Sequence, residues 1–471
     1  MCIRDRFNSY PSYTIHAFRN NDLTMNNKTE KVFGTDGIRG KVGEYPMTID
    51  FVMRLASSIS KVMTPKGGKV AIGKDTRISG YMFESALESA FVAHGLEVIL
   101  LGPLPSPAIA HYTIKQKCDF GIVISASHNS YEYNGIKIIN HLGEKIDREI
   151  ESIIESKLLD APITNTAESL GKAKISNTSR NLYKSLLMSI FDDFDDHFPL
   201  KGFKIVVDAS NGAAYKIAPQ ILLDLGADVI PIACSPNGKN INLDCGSTHP
   251  ETLRKTVVAT EANLGIALDG DADRILIVDE NGRILDGDQI LYILAKSNIS
   301  NASFNNKVVG TITTNSGLET KLKEMNIDLY RSDVGDKNVY SMMKKTGAII
   351  GGESSGHIIN SEYSPTGDAL LTALIVIRES IKKNSKISDL ADDLELLQVL
   401  NDNVDTENMS EINENQLKEI ADRINSENKD GRVIIRPSGT EPVIRISIEN
   451  KDQKTAKNIL ETIRKNIKES G

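Results

Sequence analysis

From Val32 onward, short apolar runs alternate with stretches in which apolar residues return every three or four positions. Residues 69–72 form such a run, closed by Gly73. Met82, Phe83, Ala86, Leu87, Ala90 and Phe91 then recur at helical spacing across 80–94. Gly95 ends that helix, and residues 97–101 give a second strand. The order strand, helix, glycine, strand returns over 203–232 and, more loosely, over 307–331. Runs alternating in this way predict the α/β class, with partly parallel sheets covered by helices, and three units predict three related domains. The tail differs. After an acidic, Asn-rich stretch at 401–415, it reads as a helix at 416–424, strands at 432–435 and 443–448, and a helix at 454–467. This αββα order predicts a fourth, smaller α+β domain. The expected division is a leader at 1–27, three mixed-sheet α/β domains at 28–175, 176–283 and 284–396, and the α+β domain at 397–471.

The leader has neither the apolar core of a secretory signal nor an amphipathic period. Met1 to Arg6 are what a transposon end common in sequencing libraries would encode, which points to a natural start at Met25 and a leader outside the fold. Composition narrows the function classes. Of 471 residues, 40% are hydrophobic and 25% charged, the balance of a globular protein, and about 150 residues per domain gives about three domains. Lys plus Arg number 55 against 63 Asp plus Glu, a formal net charge of −8 that excludes nucleic-acid binding through bulk positive charge. Anionic ligands must be held by local clusters. Cys2, Cys118, Cys234 and Cys245 form no CxxC pair and have no metal-ligand spacing, which suits a reducing compartment. There is no apolar run of 18 residues, so no membrane partner is expected, and a soluble, cytoplasmic protein is.

The strongest chemical signal is Asp269-Gly-Asp271-Ala-Asp273-Arg274, three carboxylates at alternate positions between two apolar strands. Converging aspartates repel unless a hard divalent cation neutralises them, which points to Mg²⁺. An EF-hand would place Gly where Arg274 stands and would be flanked by helices. A phosphatase that uses Asp269 as nucleophile, in an Asp-x-Asp after a strand, and a solvated acidic turn are the other readings. A second strand ends in Ser125-Ala-Ser127-His128-Asn129, with Lys137 beyond. A serine there can be a nucleophile, His128 can assist it and Lys137 can neutralise phosphate or move a proton, but spacing does not choose between Ser125 and Ser127. Arg436-Pro-Ser438-Gly439-Thr440, with Arg445 following, suits a phosphate dianion. Gly352-Glu353-Ser-Ser355-Gly-His357 suits sugar hydroxyls. Four polar loops, one per domain, imply a ligand held in a central cleft between four domains. Asp192 to His197 reads as a solvated acidic turn, Cys245 and His249 lack the second pair of a zinc site, and His94 and His111 read as ordinary histidines.

Taken in order, Phe33-Gly-Thr-Asp36-Gly-Ile-Arg39-Gly40, Ser127-His128-Asn129, the Asp269 loop, the Glu353 loop and the Arg436 loop resemble the α-D-phosphohexomutase superfamily. Residues 33–40, 73–87, 121–129 and 245–251 are most similar to its bacterial phosphoglucosamine mutase branch, and the resemblance runs from Val32 to the C-terminus. It implies an isomerase with a phosphoserine at Ser127. Asp269, Asp271, Asp273 and a phosphoserine oxygen would hold one Mg²⁺ per chain. Arg274 would lie beside the transferring group, with Arg39 a catalytic arginine and Lys137 and His357 the acid/base positions. Glu353 and Ser355 would bind sugar hydroxyls, and Arg436, Ser438, Gly439 and Thr440, with Arg445 nearby, the non-reacting phosphate. The implied reaction interconverts glucosamine 6-phosphate and glucosamine 1-phosphate through glucosamine 1,6-bisphosphate, for amino-sugar nucleotide and cell-wall precursor synthesis. The expected partner is a small sugar phosphate and the expected state a monomer or homodimer. A phosphomannomutase or phosphoglucomutase is the nearest alternative. Three positions depart from the family pattern: Ser130 where Pro is usual, Lys337-Asn338 where Arg-Tyr is usual, and Ser354 where an amide side chain is usual.

Overall fold

The computed structural model describes residues 31–405, 414–427, 431–437 and 443–470. The leader, 1–27, lies outside them, as do Ser438, Gly439 and Thr440. Domain I runs β1 (Ile38–Lys41), α1 (Ile49–Met63), β2 (Lys69–Lys74), α2 (Ser79–Ala93), β3 (Glu97–Pro103), α3 (Ser106–Lys115), β4 (Phe120–Ile124), β5 (Tyr133–Asn140), α4 (Arg148–Ser156) and β6 (Lys172–Ile175). Domain II follows with α5 (Ser179–Met188), β7 (Lys204–Asp208), α6 (Ile217–Asp224), β8 (Asp228–Ile232), α7 (Glu251–Thr260), β9 (Leu264–Leu268), β10 (Ile275–Asp279) and β11 (Ile284–Leu285). Domain III comprises α8 (Gly287–Ser297), β12 (Lys307–Thr311), α9 (Ser316–Glu324), β13 (Asp328–Ser332), α10 (Asp336–Thr346), β14 (Ile350–Gly352), β15 (Ile358–Asn360) and α11 (Ala369–Lys383). Domain IV comprises β16 (Gln398–Asp405), α12 (Glu414–Glu427), β17 (Gly431–Pro437), β18 (Val443–Asn450) and α13 (Gln453–Ser470).

The three large sheets repeat one arrangement. In each, a central strand pairs in parallel with the strand after its helix and with a third strand: β2 with β3 and β4, β7 with β8 and β9, β12 with β13 and β14. That third strand then turns back antiparallel, β4 on β5, β9 on β10 and β14 on β15. The turns at these three equivalent places carry Ser127, the Asp269 loop and Glu353. The polar loops of the sequence therefore occupy one position in a thrice-repeated fold. Strands buried on both faces read as continuous apolar runs, which is why they were visible without alternation.

Domain IV corrects one expectation. Residues 398–405, within and just before the acidic, Asn-rich stretch, form β16, antiparallel to β18 along its whole length, so the tail is βαββα. β16 is an edge strand with no fully buried residue, and it lacks the apolar run by which the others were recognised. The core is split accordingly. A single apolar cluster joins one face of domain I to domains II and III through α8 and α11, α11 being buried nearly all round over 369–377. Domain IV has a separate cluster drawn from 417–467. Its contacts with domain III include Glu449 accepting from Ser316 N–H at 2.9 Å and Arg432 donating to the Thr314 carbonyl at 2.8 Å.

Candidate active site

The Ser127 turn and the Asp269 loop meet face to face. Ser127 Oγ donates to Asp269 Oδ2 at 2.5 Å, although the residues are 142 apart in sequence. Contact this close needs a glycine: a Cβ on Gly270 would sit 2.5 Å from the Ser127 carbonyl oxygen. Oxygens of Asp269, Asp271 and Asp273 lie within 4.8 Å of one another, and none of the three residues is more than 3% exposed. Asp269 folds its own loop by accepting the backbone N–H groups of Asp273 and Arg274, each at 3.2 Å.

Lys137, on β5, lies 2.8 Å from Asp271 Oδ2, 3.1 Å from Asp273 Oδ2 and 3.0 Å from Asp36 Oδ2. Burial works against its charge, but Asp271, Asp273 and Asp36 outweigh it and hold the ammonium well above its usual range. Among the described residues no lysine pairs with Asp269, and Arg274 only partly offsets its surroundings. Burial, then Asp273 and Asp271, push its carboxyl well above the ordinary value. Asp273 goes the other way: Lys137 and His357 overcome burial and hold it well below. Burial also opposes the charge on Arg39 and Arg274, and neighbouring aspartates raise both in spite of it. His128 faces Arg274, with 3.3 Å between Nδ1 and a guanidinium nitrogen, and burial followed by Arg274 and Arg39 brings it down to about 4, so it is neutral. His357 places Nδ1 3.5 Å from Asp273 and Nε2 3.4 Å from Asp336. Burial lowers it, and these two carboxylates more than restore it.

Domain III supplies the remaining contacts. Glu353 is buried and accepts the Gly335 N–H at 2.9 Å, and its loop is tied to domain II where Ile275 N–H donates to the Gly356 carbonyl at 3.1 Å. Ser355 is exposed at the tip of the same loop. Arg436 and Arg445 face each other across β17 and β18, and Arg436 is lowered by burial and then by Arg445. Like charges directly opposite on a strand pair destabilise each other unless an anion lies between them.

Three groups in this site were missed. Asp36 binds Arg39, Lys137 and Lys145, and Lys145 also binds Asp336, so domains I and III meet through a half-buried ion-pair chain. Ser106, at the start of α3, donates to Asp271 Oδ2 at 2.5 Å across 165 residues. Lys337, one of the departures from the family pattern, is directed at Glu151 of domain I at 2.9 Å. Apart from Asp36–Arg39, these pairs lie far apart in sequence and no local spacing signals them.

The donor set fits a hard dication. It offers three carboxylates and a hydroxyl at one point, and Asp271 Oδ1 is buried there without a hydrogen-bond partner. Residues 30–162, 187–282, 286–396 and 383–466 match, in turn, the phosphoglucomutase/phosphomannomutase alpha/beta/alpha domains I, II and III and the C-terminal domain. Four such domains closing on this charged cleft make the chain a phosphohexomutase, and hence an isomerase. It is 45% identical to phosphoglucosamine mutase of Alcanivorax borkumensis over 430 residues, covering 90% of this chain and 95% of that one. It is 44% identical to the enzyme of the same name from Variovorax paradoxus over 432 residues, 91% of this chain and 96% of that one. The chain belongs to the phosphoglucosamine mutase family. Among solved structures, a phosphoglucomutase/phosphomannomutase family protein of Burkholderia thailandensis superposes with a TM-score of 0.78 at 22% identity, covering 93% of this chain and 97% of that one. N-acetylphosphoglucosamine mutase of Aspergillus fumigatus, in complex with GlcNAc-6P and magnesium, does so with 0.66 at 18% identity, covering 93% and 96%. These two show the fold. No helix among the described residues is long and apolar enough to cross a membrane.

Proposed function

We propose that this chain interconverts glucosamine 6-phosphate and glucosamine 1-phosphate, with Ser127 carrying the phosphoryl group between them. The observation that carries the reading is Ser127 Oγ against Asp269 inside a buried carboxylate triad whose other two members share Lys137. Mg²⁺, held by Asp269, Asp271, Asp273 and an oxygen of the Ser127 phosphoryl group, would supply charge stabilisation to the moving phosphoryl group.

In the forward direction the sugar 1-hydroxyl oxygen bonds to phosphorus as the phosphorus–Oγ bond breaks, the hydroxyl gives up its proton and Oγ takes one up, giving glucosamine 1,6-bisphosphate. The bisphosphate then turns over, Ser127 Oγ takes the 6-phosphoryl group and gives up its proton, and the freed 6-oxygen receives a proton. Phosphoryl transfer needs positioning and charge more than a strong base. Lys137, kept cationic by three carboxylates, suits neutralisation of the transferring group and supply of that proton. Arg274 and Arg39 add fixed positive charge, and neutral His128 orients against Arg274. Glu353 and Ser355 would read sugar hydroxyls. Arg436 and Arg445, with Ser438, Gly439 and Thr440, would hold whichever phosphate is not reacting. The separate core of domain IV supports its closing as a lid that keeps water from the phosphoserine.

The test is ³¹P NMR of the protein with Mg²⁺ and a trace of each matching 1,6-bisphosphate, run on glucosamine, glucose and mannose 6-phosphates. The expected result is a 1-phosphate signal that grows fastest from the glucosamine ester and is absent in Ser127→Ala. Faster turnover of glucose or mannose would overturn the sugar, and free phosphate alone from Ser127→Ala would favour an Asp269 phosphatase.

A further inference from the structure

The segment Gly73-Lys-Asp75-Thr-Arg77 takes no part in the chemistry above, yet Arg77 has no solvent exposure at all. It lies just past the end of β2, beside the turn that carries Ser127. A guanidinium has five N–H groups in a fixed plane, and every one of them is used. Nε donates to Asp75 at 2.8 Å. One terminal nitrogen donates to the carbonyls of Ser127 at 3.0 Å and Asn129 at 2.8 Å. The other donates to the carbonyls of Tyr133 at 3.0 Å and Ser130. Asp75 completes the ring: it accepts the Ser125 hydroxyl at 2.6 Å, and Ser125 Oγ accepts the Ser127 N–H at 2.9 Å. From the opposite side, the Asn242 amide of domain II donates to the Ser127 carbonyl at 2.8 Å and the Asn129 carbonyl at 2.9 Å.

What these bonds hold is a backbone that would not persist alone. Ser127 has φ of +53°, the left-handed region that a non-glycine residue occupies only where its surroundings impose it. Ser130, where the family usually has proline, has no ring to preset the turn, and its carbonyl is one of the four that Arg77 gathers. We propose that Arg77 is a positioning residue for phosphoryl transfer, fixing the Ser127 backbone so that Oγ stays directed at the aspartate triad. This rests on the reading that Ser127 carries the phosphoryl group. It also gives Ser125 a role distinct from Ser127, that of anchoring the turn.

The test compares full-length Arg77→Lys and Asn242→Ala with the unchanged protein, each loaded with glucosamine 1,6-bisphosphate. Phosphoserine stoichiometry is read by intact mass, its site by peptide mass, and kcat and KM on glucosamine 6-phosphate. Lysine retains the charge against Asp75 but cannot span four carbonyls. The expected result is retained stoichiometry, kcat lower by about 100-fold in Arg77→Lys and by about 10-fold in Asn242→Ala, as an ångström-scale misplacement produces. KM should stay within about threefold, because neither residue reaches the sugar loop. Adding Ser130→Pro to Arg77→Lys should recover about fivefold in kcat by restoring a preset turn. Unchanged kcat per phosphorylated molecule in both variants, or a loss that follows only the folded fraction, would overturn the proposal. Should Arg77→Lys not fold, Asn242→Ala decides alone by the same split. Phosphate found on a residue other than Ser127 would instead overturn the phosphoserine reading.

Discussion

Asp288 offers a quantitative test of how the Glu353 loop is supported. It is the second residue of α8, and one of its oxygens accepts the Asn315 N–H and the Ser354 hydroxyl, each at 3.0 Å. The other oxygen is buried without a hydrogen-bond partner. Burial, reinforced by Asp286, pushes the carboxyl from 3.8 up to about 7, with Glu449 adding to the rise and the two hydrogen bonds opposing it. About three pKa units at 1.36 kcal/mol each amount to about 4 kcal/mol. The sign follows from which state holds the proton more tightly. The folded state does, so this group's contribution to stability is complete below about pH 4 and is lost as pH rises through about 7. Asp288→Asn cannot titrate. It keeps an oxygen for Asn315 and Ser354, while its buried NH₂ costs about 1–3 kcal/mol at every pH. The unchanged protein has lost only about 0.6 kcal/mol by pH 4, so the variant should be the less stable protein at pH 4 and the more stable one at pH 8.5. Urea unfolding at half-unit pH steps, followed by far-UV circular dichroism, reads the crossing. Parallel curves for the two proteins between pH 4 and 8.5 would refute the raised position of the carboxyl.

Three further outcomes follow from the same geometry. Mg²⁺ at about 100 times its dissociation constant should stabilise the protein by about 2.7 kcal/mol, and Asp271→Asn should abolish the shift in thermal unfolding between Mg²⁺ and EDTA. Gly270→Ala, whose Cβ would lie 2.5 Å from the Ser127 carbonyl, should separate the two loops and lower kcat by about 100-fold with the fold intact by circular dichroism. Tyr183 donates to Asp368 at 2.7 Å, and burial, opposed by hydrogen bonds including this one, pushes Asp368 up to about 6. Tyr183→Phe should cost about 1–3 kcal/mol in urea unfolding, and more above pH 6, where the carboxyl must ionise with backbone N–H groups such as that of Leu371 but no hydroxyl donor.

The repeated βαβ units were legible because buried strands spell themselves out as apolar runs, and the three polar turns because each interrupts such a run at its end. What those turns do to one another was not legible. Ser125 and Ser127 are chemically alike and two residues apart, and only the approach of Asp269, 142 residues onward, separates an anchor from a candidate nucleophile. Lys145 reaches carboxylates 109 residues upstream and 191 downstream. β16 was hidden for the opposite reason, since an edge strand leaves its side chains in water and has no run to show. The family resemblance supplied roles for Ser127, Lys137 and the triad, but it left Arg77 inside a quoted motif with no role of its own.

The charge balance of the cleft explains why a chain of net charge −8 still builds a site for a phosphate ester. Asp36, Asp269, Asp271, Asp273 and Asp336 meet Arg39, Lys137, Lys145 and Arg274, so carboxylates exceed fixed cations by one. The pairing is uneven. Lys137 satisfies Asp271 and Asp273, Lys145 satisfies Asp36 and Asp336, and Asp269 is left with a raised carboxyl and a serine hydroxyl. The uncompensated position is thus the one that touches Ser127. A phosphoryl group there would add up to two more negative charges about 3 Å from Asp269, more than Lys137, shared with the other two aspartates, neutralises by itself. A dication at the triad and the approach of Arg274 would relieve it. On this reasoning the affinity for metal and the phosphorylation of Ser127 reinforce each other: phosphorylated protein should hold Mg²⁺ more tightly than unphosphorylated protein, a difference that isothermal titration of the two forms would measure and equal affinities would refute.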